Sequence, residues 1–247
     1  MPEKIVLIAG ASGGIGSAIL RLFSEKGMKV YGNYFKNREK AAQMEREIER
    51  CSMTSCDLAE ESAVREWVEQ VFRKESRIDL LVNVAAPPLK LKNLEDLSAE
   101  EFEEDHRIIA RGGFYLLKNV IPIMKKQKDG TVIHLLSSAV KETPPRMSSY
   151  VAAKSALMGM TRSLSIETGR FNVRVLGLSP SFVETDLLKA FPSKLLEMER
   201  LKMPGGQLIQ AAEIAQVALE MAQDPEKFPN GSHYFVSGPQ AVPEVNP

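Results

Sequence analysis

The residues with the clearest chemical potential in this chain are a tyrosine and a lysine four positions apart, Tyr150 and Lys154. On a helix, such a pair shares one face, so the ammonium group can lower the pKa of the phenol from its free value of about 10. A phenol tuned in this way can act as a general acid or base near neutral pH. Tyr-x-x-x-Lys pairs also arise by chance on solvated helices, so the meaning of this one depends on its surroundings.

A glycine-rich segment near the start of the chain supplies a second chemical signal. Residues 9–16 read Ala-Gly-Ala-Ser-Gly-Gly-Ile-Gly and directly follow an apolar run. Between a strand and a helix, such glycines allow a tight turn, and the amides at the helix start face a pyrophosphate. The alternative is an ordinary strand-to-helix turn. As a dinucleotide site, the segment would contribute Gly10, Ser12, Gly13, Gly14, Ile15 and Gly16.

The residues after the second apolar run bear on the type of dinucleotide. Enzymes that use NAD commonly place a carboxylate there, where it binds the ribose 2′-hydroxyl. Residues 33–38 read Asn-Tyr-Phe-Lys-Asn-Arg, with no acid and two cations. We therefore expect Asn33, Lys36 and Arg38 in the cofactor site and NADP(H) as the favoured cofactor. NAD(H) is the alternative if both cations are merely solvated.

Short apolar runs alternate with longer helical patterns along the chain, which predicts βαβ units and a parallel sheet. We expect one α/β domain over residues 1–247, a Rossmann-like doubly wound parallel sheet of about seven strands flanked by helices. The predicted strands are 4–9, 29–34, 51–56, 79–83, 131–137, 173–178 and 232–236. The predicted helices are 14–26, 38–49, 60–74, 99–126 with a bend at Gly112-Gly113, 148–169 and 210–223. A segment at 184–206 is expected to form helical pieces over the site, as a substrate lid.

Composition argues against several functional classes. The 247 residues include 32 basic and 32 acidic side chains, a formal net charge of +0, so nothing favours a nucleic-acid partner. The first apolar run is too short for a signal peptide, and no segment has the roughly 20 apolar residues that span a bilayer. We expect a cytoplasmic protein without membrane contact. The two cysteines and three scattered histidines lack metal-ligand spacing, so no metal is expected.

Taken together, these residues resemble the short-chain dehydrogenase/reductase family, most closely the branch that includes 3-oxoacyl-acyl-carrier-protein reductases. The resemblance covers almost the whole chain and is specific for fold and cofactor, but not for substrate. Further matching elements are Asp57-Leu58, Asp-Leu-Leu-Val-Asn-Val-Ala-Ala at 79–86, Ser179-Pro180 and Thr185-Asp186. By position, the resemblance implies cofactor contacts from Asp57, Leu58, Asn83, Ala85, Tyr150, Lys154, Pro180, Val183 and Thr185. Asp57 as a turn acid and Asn83 as a structural strand-end residue are the alternatives.

The resemblance also implies a catalytic set of Ser137, Tyr150 and Lys154. Ser138 competes for the serine role, but counting back from Tyr150 and forward from Gly130 both select Ser137. In such a set the tyrosine exchanges a proton with the substrate oxygen, and the serine holds that oxygen. The lysine lowers the tyrosine pKa and binds the nicotinamide ribose. Hydride then passes between the nicotinamide and the substrate carbon.

One departure from the family pattern concerns proton exchange. The family often has an asparagine on the long central helix, which holds a water that links the lysine to solvent. Ile109 takes that position here and cannot hold a water by hydrogen bonding. Three consequences are open: a differently routed relay, slow turnover, or a catalytically silent dinucleotide-binding protein that acts as a sensor or assembly subunit.

We expect an NADP(H)-dependent enzyme that reduces a small-molecule carbonyl, a ketone or a 3-oxoacyl thioester, to an alcohol, or catalyses the reverse. The alternative enzyme is an NAD(H)-dependent sugar, polyol or steroid-type dehydrogenase. The apolar segment 187–203 could enclose an acyl or ring-like group, or only pack onto the core. Basic residues at 125, 126 and 128 could meet an acidic acyl carrier, or only complement a helix dipole. The resemblance implies a homotetramer or homodimer formed through helices 99–126 and 148–169.

Overall fold

A central β-sheet carries the fold, and the computed structural model describes residues 3–237 and 241–243. Over these residues, eight strands are hydrogen-bonded in the order β3-β2-β1-β4-β5-β6-β7-β8. The first seven strands of this order are parallel, and the last one, β8, pairs antiparallel with β7. The strands are β1 (Ile5–Ala9), β2 (Lys29–Tyr34), β3 (Cys51–Ser55), β4 (Leu80–Asn83), β5 (Gly130–Leu135), β6 (Val173–Pro180), β7 (His233–Val236) and β8 (Ala241–Pro243).

This topology confirms the predicted Rossmann-like domain with a doubly wound sheet of seven parallel strands. Each predicted strand is present, and its bounds lie within about two residues of the prediction. The sequence did not predict β8, because a three-residue edge strand is too short to show an alternating pattern. The ends of the predicted 1–247 domain, at 1–2 and 244–247, lie outside the described residues, as do residues 238–240.

Helices cover both faces of the sheet. They are α1 (Gly14–Glu25), α2 (Arg38–Glu47), α3 (Glu61–Glu75), α4 (Ala99–Asp105), α5 (Gly112–Gln127), α6 (Ala139–Glu142), α7 (Ser148–Thr168), α8 (Ser193–Lys202) and α9 (Ala211–Gln223). On one face, Ile19 and Phe23 of α1 are fully buried in a cluster that includes Ile214 of α9. Burial of each such side chain contributes about 2 kcal/mol. This packing fixes the start of α1 at the carboxyl edge of the sheet.

The opposite face is packed by α3 and α5. Trp67 and Val71 of α3 are buried with Leu116 and Val120 of α5, over the β1, β4 and β5 strands. A third cluster joins the start of α7 to the segment between α4 and α5, and it contains Tyr150. The candidate catalytic residue is therefore embedded in packed side chains and is not at the tip of a mobile loop.

The region predicted as one helix over 99–126 is helical throughout, but it is not uniform. A π-helical turn, His106–Arg111, separates α4 from α5. The glycine pair that follows permits close packing: a Cβ on Gly112 would lie 3.0 Å from the Leu58 carbonyl oxygen, and one on Gly113 would lie 2.7 Å from Leu157. The irregular turn thus precedes the glycines, at a site where π-bulges often mark function.

The segment at 184–206 forms the expected helical pieces. They are a 3₁₀ turn (Asp186–Ala190), α8 and a second 3₁₀ turn (Pro204–Gly206). No residue of α8 is buried among those described, so this helix lies on the surface. Among the helices of the described ranges, none combines the length and the apolar character needed to cross a membrane.

Candidate active site

The glycine loop leaves β1 in a conformation that suits glycine. Gly10 has φ +83°, and a Cβ there would lie 2.9 Å from the backbone of Ala85 at the end of β4. Its amide donates a 2.7 Å hydrogen bond to Asn33 Oδ1, and Asn33 Nδ2 donates to the Cys56 carbonyl at 2.9 Å. Asn33, predicted as a cofactor residue, is buried and ties the loop to the ends of β2 and β3.

The start of α1 forms a cradle that side chains would fill. A Cβ on Gly16 would overlap the Gly10 carbonyl oxygen, and one on Gly14 would lie 2.7 Å from Thr185 Cγ2. The N-cap residue Gly13 provides no side-chain cap for the first amides of the helix. Uncapped amides at a helix start form a site for an anion. The loop therefore fits a dinucleotide pyrophosphate, and the Thr185 side chain lies beside Gly14 of the loop.

The predicted cofactor residues after β2 and β3 fall into two groups. Lys36 and Arg38 are exposed, and Lys36 Nζ lies 5.4 Å from the Phe35 ring centroid. Asp57 Oδ1 accepts a 2.9 Å hydrogen bond from the Ala59 amide, which is the local turn role considered as its alternative. Leu58 is buried against the backbone of Gly112. Asp57 and Leu58 thus both contact the protein itself, Asp57 in a local turn and Leu58 against α5.

The remaining predicted cofactor residues lie at the ends of β4 and β6. Asn83 is buried, and its Oδ1 accepts a hydrogen bond from the Ala85 amide at 3.3 Å. Pro180 ends β6, and Val183 is buried and forms a bridge with Ile209. The carboxyl ends of β1, β4 and β6 face the same edge of the parallel sheet. The predicted set is therefore brought to one cleft edge, where doubly wound sheets bind ligands.

The catalytic candidates converge beside this edge, at the end of β5. Lys154 on α7 is 1% exposed, and its Nζ donates a 2.6 Å hydrogen bond to the Leu135 carbonyl. The same Nζ lies 5.7 Å from the centroid of the Tyr150 ring. Ser137 follows β5 and is half-buried. A hydrogen bond with its side chain lowers the pKa of the Tyr150 phenol. Lys154 of α7 and Ser137 of the loop after β5 thus flank the buried phenol of Tyr150.

The pKa values in this cluster differ from the sequence-based expectation. Burial raises the pKa of Tyr150 to about 12, with Ser137 opposing the shift and the charge of Asp105 adding to it. Burial lowers the pKa of Lys154 to about 7, and Asp105 opposes that shift. The predicted lowering of the tyrosine pKa by Lys154 is therefore not observed. The reason is depth, because burial disfavours both charged forms and the lysine is directed at Leu135.

The two serines have different surroundings. Ser137 Oγ accepts a 3.2 Å hydrogen bond from the Ala139 amide and acts on Tyr150. Ser138 is buried, and its amide donates to the Pro180 carbonyl at 3.0 Å, which links the ends of β5 and β6. These contacts favour Ser137 as the serine that faces the phenol. Ser138 holds the loop.

Two polar residues of the site were not identified from the sequence. Asp105 is 5% exposed and accepts a 2.6 Å hydrogen bond from Ser149 Oγ. His134 is fully buried, its Nδ1 lies 3.3 Å from Asn83 Nδ2, and burial lowers its pKa to about 3. His134 Nε2 has no hydrogen-bond partner among the described residues. Two features of the sequence could have identified them. Asp105 shares a helix face with apolar residues, and His134 is a polar residue within a strand that is otherwise buried.

Comparisons with known proteins identify the family of the chain. A family model described as enoyl-(acyl carrier protein) reductase matches residues 10–238. The 3-oxoacyl-[acyl-carrier-protein] reductase FabG of Thermotoga maritima is 28% identical over 239 residues, which cover 95% of this chain and 96% of that protein. L-fucose dehydrogenase of Bos taurus is 30% identical over 243 residues, which cover 95% and 88% of the two chains.

A solved structure shares the fold over nearly the whole chain. The 3-ketoacyl-(acyl-carrier-protein) reductase from Brucella melitensis, solved in complex with NADH, superimposes with a TM-score of 0.86 at 26% identity. The match covers 95% of this chain and 96% of that one. The family model, the relatives and this structure agree on the fold and on the family. The chain therefore belongs to the short-chain dehydrogenase/reductase family of oxidoreductases.

Proposed function

We propose that the protein is an NADP(H)-dependent oxidoreductase that interconverts a carbonyl and an alcohol, with a ketone or a 3-oxoacyl thioester as substrate. The observation that carries the proposal is the convergence of Ser137, Tyr150 and Lys154 beside the glycine loop. The reductases among its relatives add support for the substrate class. A nicotinamide dinucleotide bound at the loop would supply or accept the hydride.

The side chains have distinct roles in this proposal. With a pKa raised to about 12, the Tyr150 phenol is protonated at neutral pH, which is the acid form that carbonyl reduction requires. The Ser137 hydroxyl donates a hydrogen bond to the carbonyl oxygen and holds it beside the phenol. Lys154, with a pKa of about 7, exchanges a proton in the working pH range and binds the ribose hydroxyls. Burial of Tyr150 and Lys154 limits the access of water to the reacting oxygen.

Replacement of Tyr150 by phenylalanine tests the reaction. We expect Tyr150→Phe to bind NADPH, as measured by nucleotide fluorescence, and to lose carbonyl reduction by at least about 100-fold. The screen uses ketones, 3-oxoacyl thioesters and alcohols with both cofactors. NADPH binding without Tyr150-dependent turnover on any substrate would instead establish the catalytically silent sensor or assembly subunit.

The preference for NADP(H) is supported by Lys36 and Arg38. Both side chains are exposed, and within the described part of the chain neither forms an ion pair, so both are available to a 2′-phosphate. Each lost phosphate contact removes about 1–3 kcal/mol. We expect Lys36→Ser/Arg38→Ser to raise the KM for NADPH at least about tenfold and to leave that for NADH unchanged. Lys26→Ser, at the far end of α1, is the matched control. Equal effects on both cofactors would remove the preference.

An NAD(H)-dependent sugar dehydrogenase is the second candidate. It is favoured by the 30% identity to L-fucose dehydrogenase. Adding L-fucose and other sugars with NAD⁺ to the screen tests it directly. Tyr150-dependent oxidation of a sugar, with NAD⁺ preferred over NADP⁺, would replace the first proposal.

We also propose that residues 184–206 form the substrate lid. Phe191 of this segment packs against the cluster that contains Tyr150 and contacts Phe182 edge-on at 5.3 Å. Met198 and Leu201 of α8 are 54% and 79% exposed and present apolar surface for an acyl or ring-like group. Phe191→Ala should raise the KM for the carbonyl substrate and leave that for NADPH unchanged. An unchanged substrate KM would assign the segment to packing alone.

A carrier-linked substrate is supported by the basic surface at the end of α5. Lys125 Nζ lies 5.2 Å from the Phe171 ring centroid, and the Arg170 guanidinium lies 4.8 Å from it. With Lys126 and Lys128, these side chains give a positive surface that suits an acidic carrier protein. Reversal of charge at the three lysines should reduce activity on the carrier-linked thioester more than on a small ketone. Full activity on both would remove the carrier.

Assembly into a homodimer or homotetramer is part of the same proposal. Phe114 of α5 and Ile166 of α7 are 46% and 84% exposed, on the two helices that the family resemblance implicates. Light scattering coupled to gel filtration tests this, since a monomer at micromolar concentration would contradict it. The cytoplasmic location expected from the sequence stays a prediction, which cell fractionation would test.

A further inference from the structure

A buried carboxylate lies next to the proposed reaction centre, one helical turn before Ile109. Asp105 ends α4 and is 5% exposed, and its Oδ2 accepts a 2.6 Å hydrogen bond from Ser149 Oγ. Ser149 directly precedes Tyr150, and its Oγ also lies 3.3 Å from the Phe102 carbonyl oxygen. The end of α4 is thereby connected to the first turn of α7, which carries the candidate acid. The π-helical turn begins immediately after Asp105.

The charge of Asp105 reaches both members of the Tyr150–Lys154 pair, favouring the protonated form of each. Within the described residues, it is the acidic group that acts on both. The charged and titratable groups that surround it are Lys90 after β4, Glu104 and His106 on its own helical segment, Tyr150 and Lys154 on α7, and His134 on β5 beyond Lys154. Lys90 is ion-paired with Glu104, so these two charges largely offset each other.

Lys154 needs such a counter-charge. Its ammonium is 1% exposed, and in the described ranges the Leu135 carbonyl is its hydrogen-bond acceptor. An ammonium removed from water without a nearby anion is strongly destabilised. Ile109, one turn after Asp105 and 1% exposed, has no polar atom to help. The buried charged side chain of this helical segment is Asp105, which lies one turn before Ile109.

We propose that Asp105 is the buried counter-charge of the Tyr150–Lys154 pair, a positioning residue that sets the pH range in which the pair works. The inference rests on the proposed function. A nearby negative charge stabilises the ammonium and destabilises the phenolate. Its removal therefore lowers both pKa values, so the direction of the change is the same whichever group controls the rate.

The test compares the pH profile of kcat/KM for the full-length enzyme and Asp105→Asn at constant ionic strength. We expect the whole profile of the variant to shift to lower pH by about one unit or more. Glu104→Gln removes the same charge one residue earlier, from a group that acts on Asp105 but not on the pair, and should leave the profile in place. Asp105→Glu, which keeps the charge, should restore much of the wild-type profile.

A purely structural role predicts a different result. A folded Asp105→Asn variant that binds NADPH, has reduced kcat and keeps the wild-type profile would overturn the inference. If that variant does not fold, Ser149→Ala replaces it. This change removes the hydrogen bond that lowers the Asp105 pKa, so Asp105 neutralises at higher pH and only the acid limb should move. An unchanged acid limb in Ser149→Ala would also overturn it.

A second measurement separates this inference from the proposed function. Tyrosinate absorbance, taken as the difference between each protein and its Tyr150→Phe counterpart, reports the Tyr150 titration without turnover. We expect Tyr150 to ionise at lower pH in Asp105→Asn than in the wild type. Such a shift with no detectable turnover would contradict only the proposed function. An unshifted titration would contradict the role of Asp105 as the counter-charge.

Discussion

Replacement of Lys154 by methionine should stabilise the protein at slightly acidic pH while removing its activity. Burial lowers the pKa of this lysine from its ordinary value of 10.5 to about 7. At about 1.4 kcal/mol for each pKa unit, keeping the ammonium buried costs about 5 kcal/mol at pH 6. Methionine has a similar length and carries no charge, but it leaves the Leu135 carbonyl without its donor, which costs about 1–3 kcal/mol. The net expectation is a gain of about 2–4 kcal/mol.

The pH dependence gives this prediction its sign. Below pH 7 the lysine is protonated in both the folded and the unfolded chain, so the wild type bears the full cost of the buried charge. Between pH 7 and 10.5 the folded chain holds a neutral amine while the unfolded chain is still protonated, so wild-type stability rises with pH. The advantage of Lys154→Met should shrink by about 3 kcal/mol between pH 6 and pH 9.

Urea unfolding at pH 6 and pH 9 measures the effect. Protein concentration is held fixed, because any subunit association would add its own stabilisation. Lys126→Met, at an exposed lysine of α5, should change the free energy of unfolding by less than about 0.5 kcal/mol at either pH. If Lys154→Met were less stable than the wild type at pH 6, or if its difference were the same at both pH values, the lysine would not be a costly buried cation.

The remaining predictions concern the glycine loop and the serines. Gly16→Ala places a Cβ on the Gly10 carbonyl oxygen and should weaken NADPH binding at least about tenfold, measured by fluorescence titration. Gly159→Ala in α7, where a Cβ meets nothing within 4 Å, should bind normally and gain about 0.5–1 kcal/mol in thermal unfolding. Ser137→Ala should lower kcat about 100-fold with NADPH affinity kept, whereas Ser138→Ala should lower it far less. The reverse order of the two serine effects in steady-state kinetics would reassign the role.

Much of the fold could be predicted because several signals agreed locally. The run at β1 is continuously apolar, as expected for a strand buried on both faces, and the glycines after it can only serve a turn or a close approach. The division of 99–126 could not be predicted in the same way. The π-helical turn at His106–Arg111 depends on packing against α7, and no local propensity distinguishes it from an ordinary helix. Tertiary contacts decide such features.

The neighbours in the site were predictable, whereas their electrostatics were not. The spacing of Tyr150 and Lys154 correctly implied two side chains on one helix face. It said nothing of how deep that face lies, and depth sets the direction of both pKa shifts. Asn33 shows the same limit, because its position after β2 is that of a ligand residue, yet its amide is used by the Gly10 amide and the Cys56 carbonyl.

Charge balance in the interior offers a way to find what spacing alone misses. Lys154 lies one turn from Leu157 on a helix whose inner face is buried, and a buried cation is costly without a nearby negative charge. Asp105 is the acid whose spacing places it with Phe102 and Ile109, the apolar positions of its own segment. A buried acid on an apolar face is destabilising unless a hydrogen-bond donor or a cation lies near it. Here Ser149 donates a hydrogen bond to Asp105, and the positive charge of Lys154 attracts the carboxylate. With an isoleucine at 109, the charge that acts on Tyr150 and Lys154 from this helical segment therefore comes from Asp105, one turn earlier.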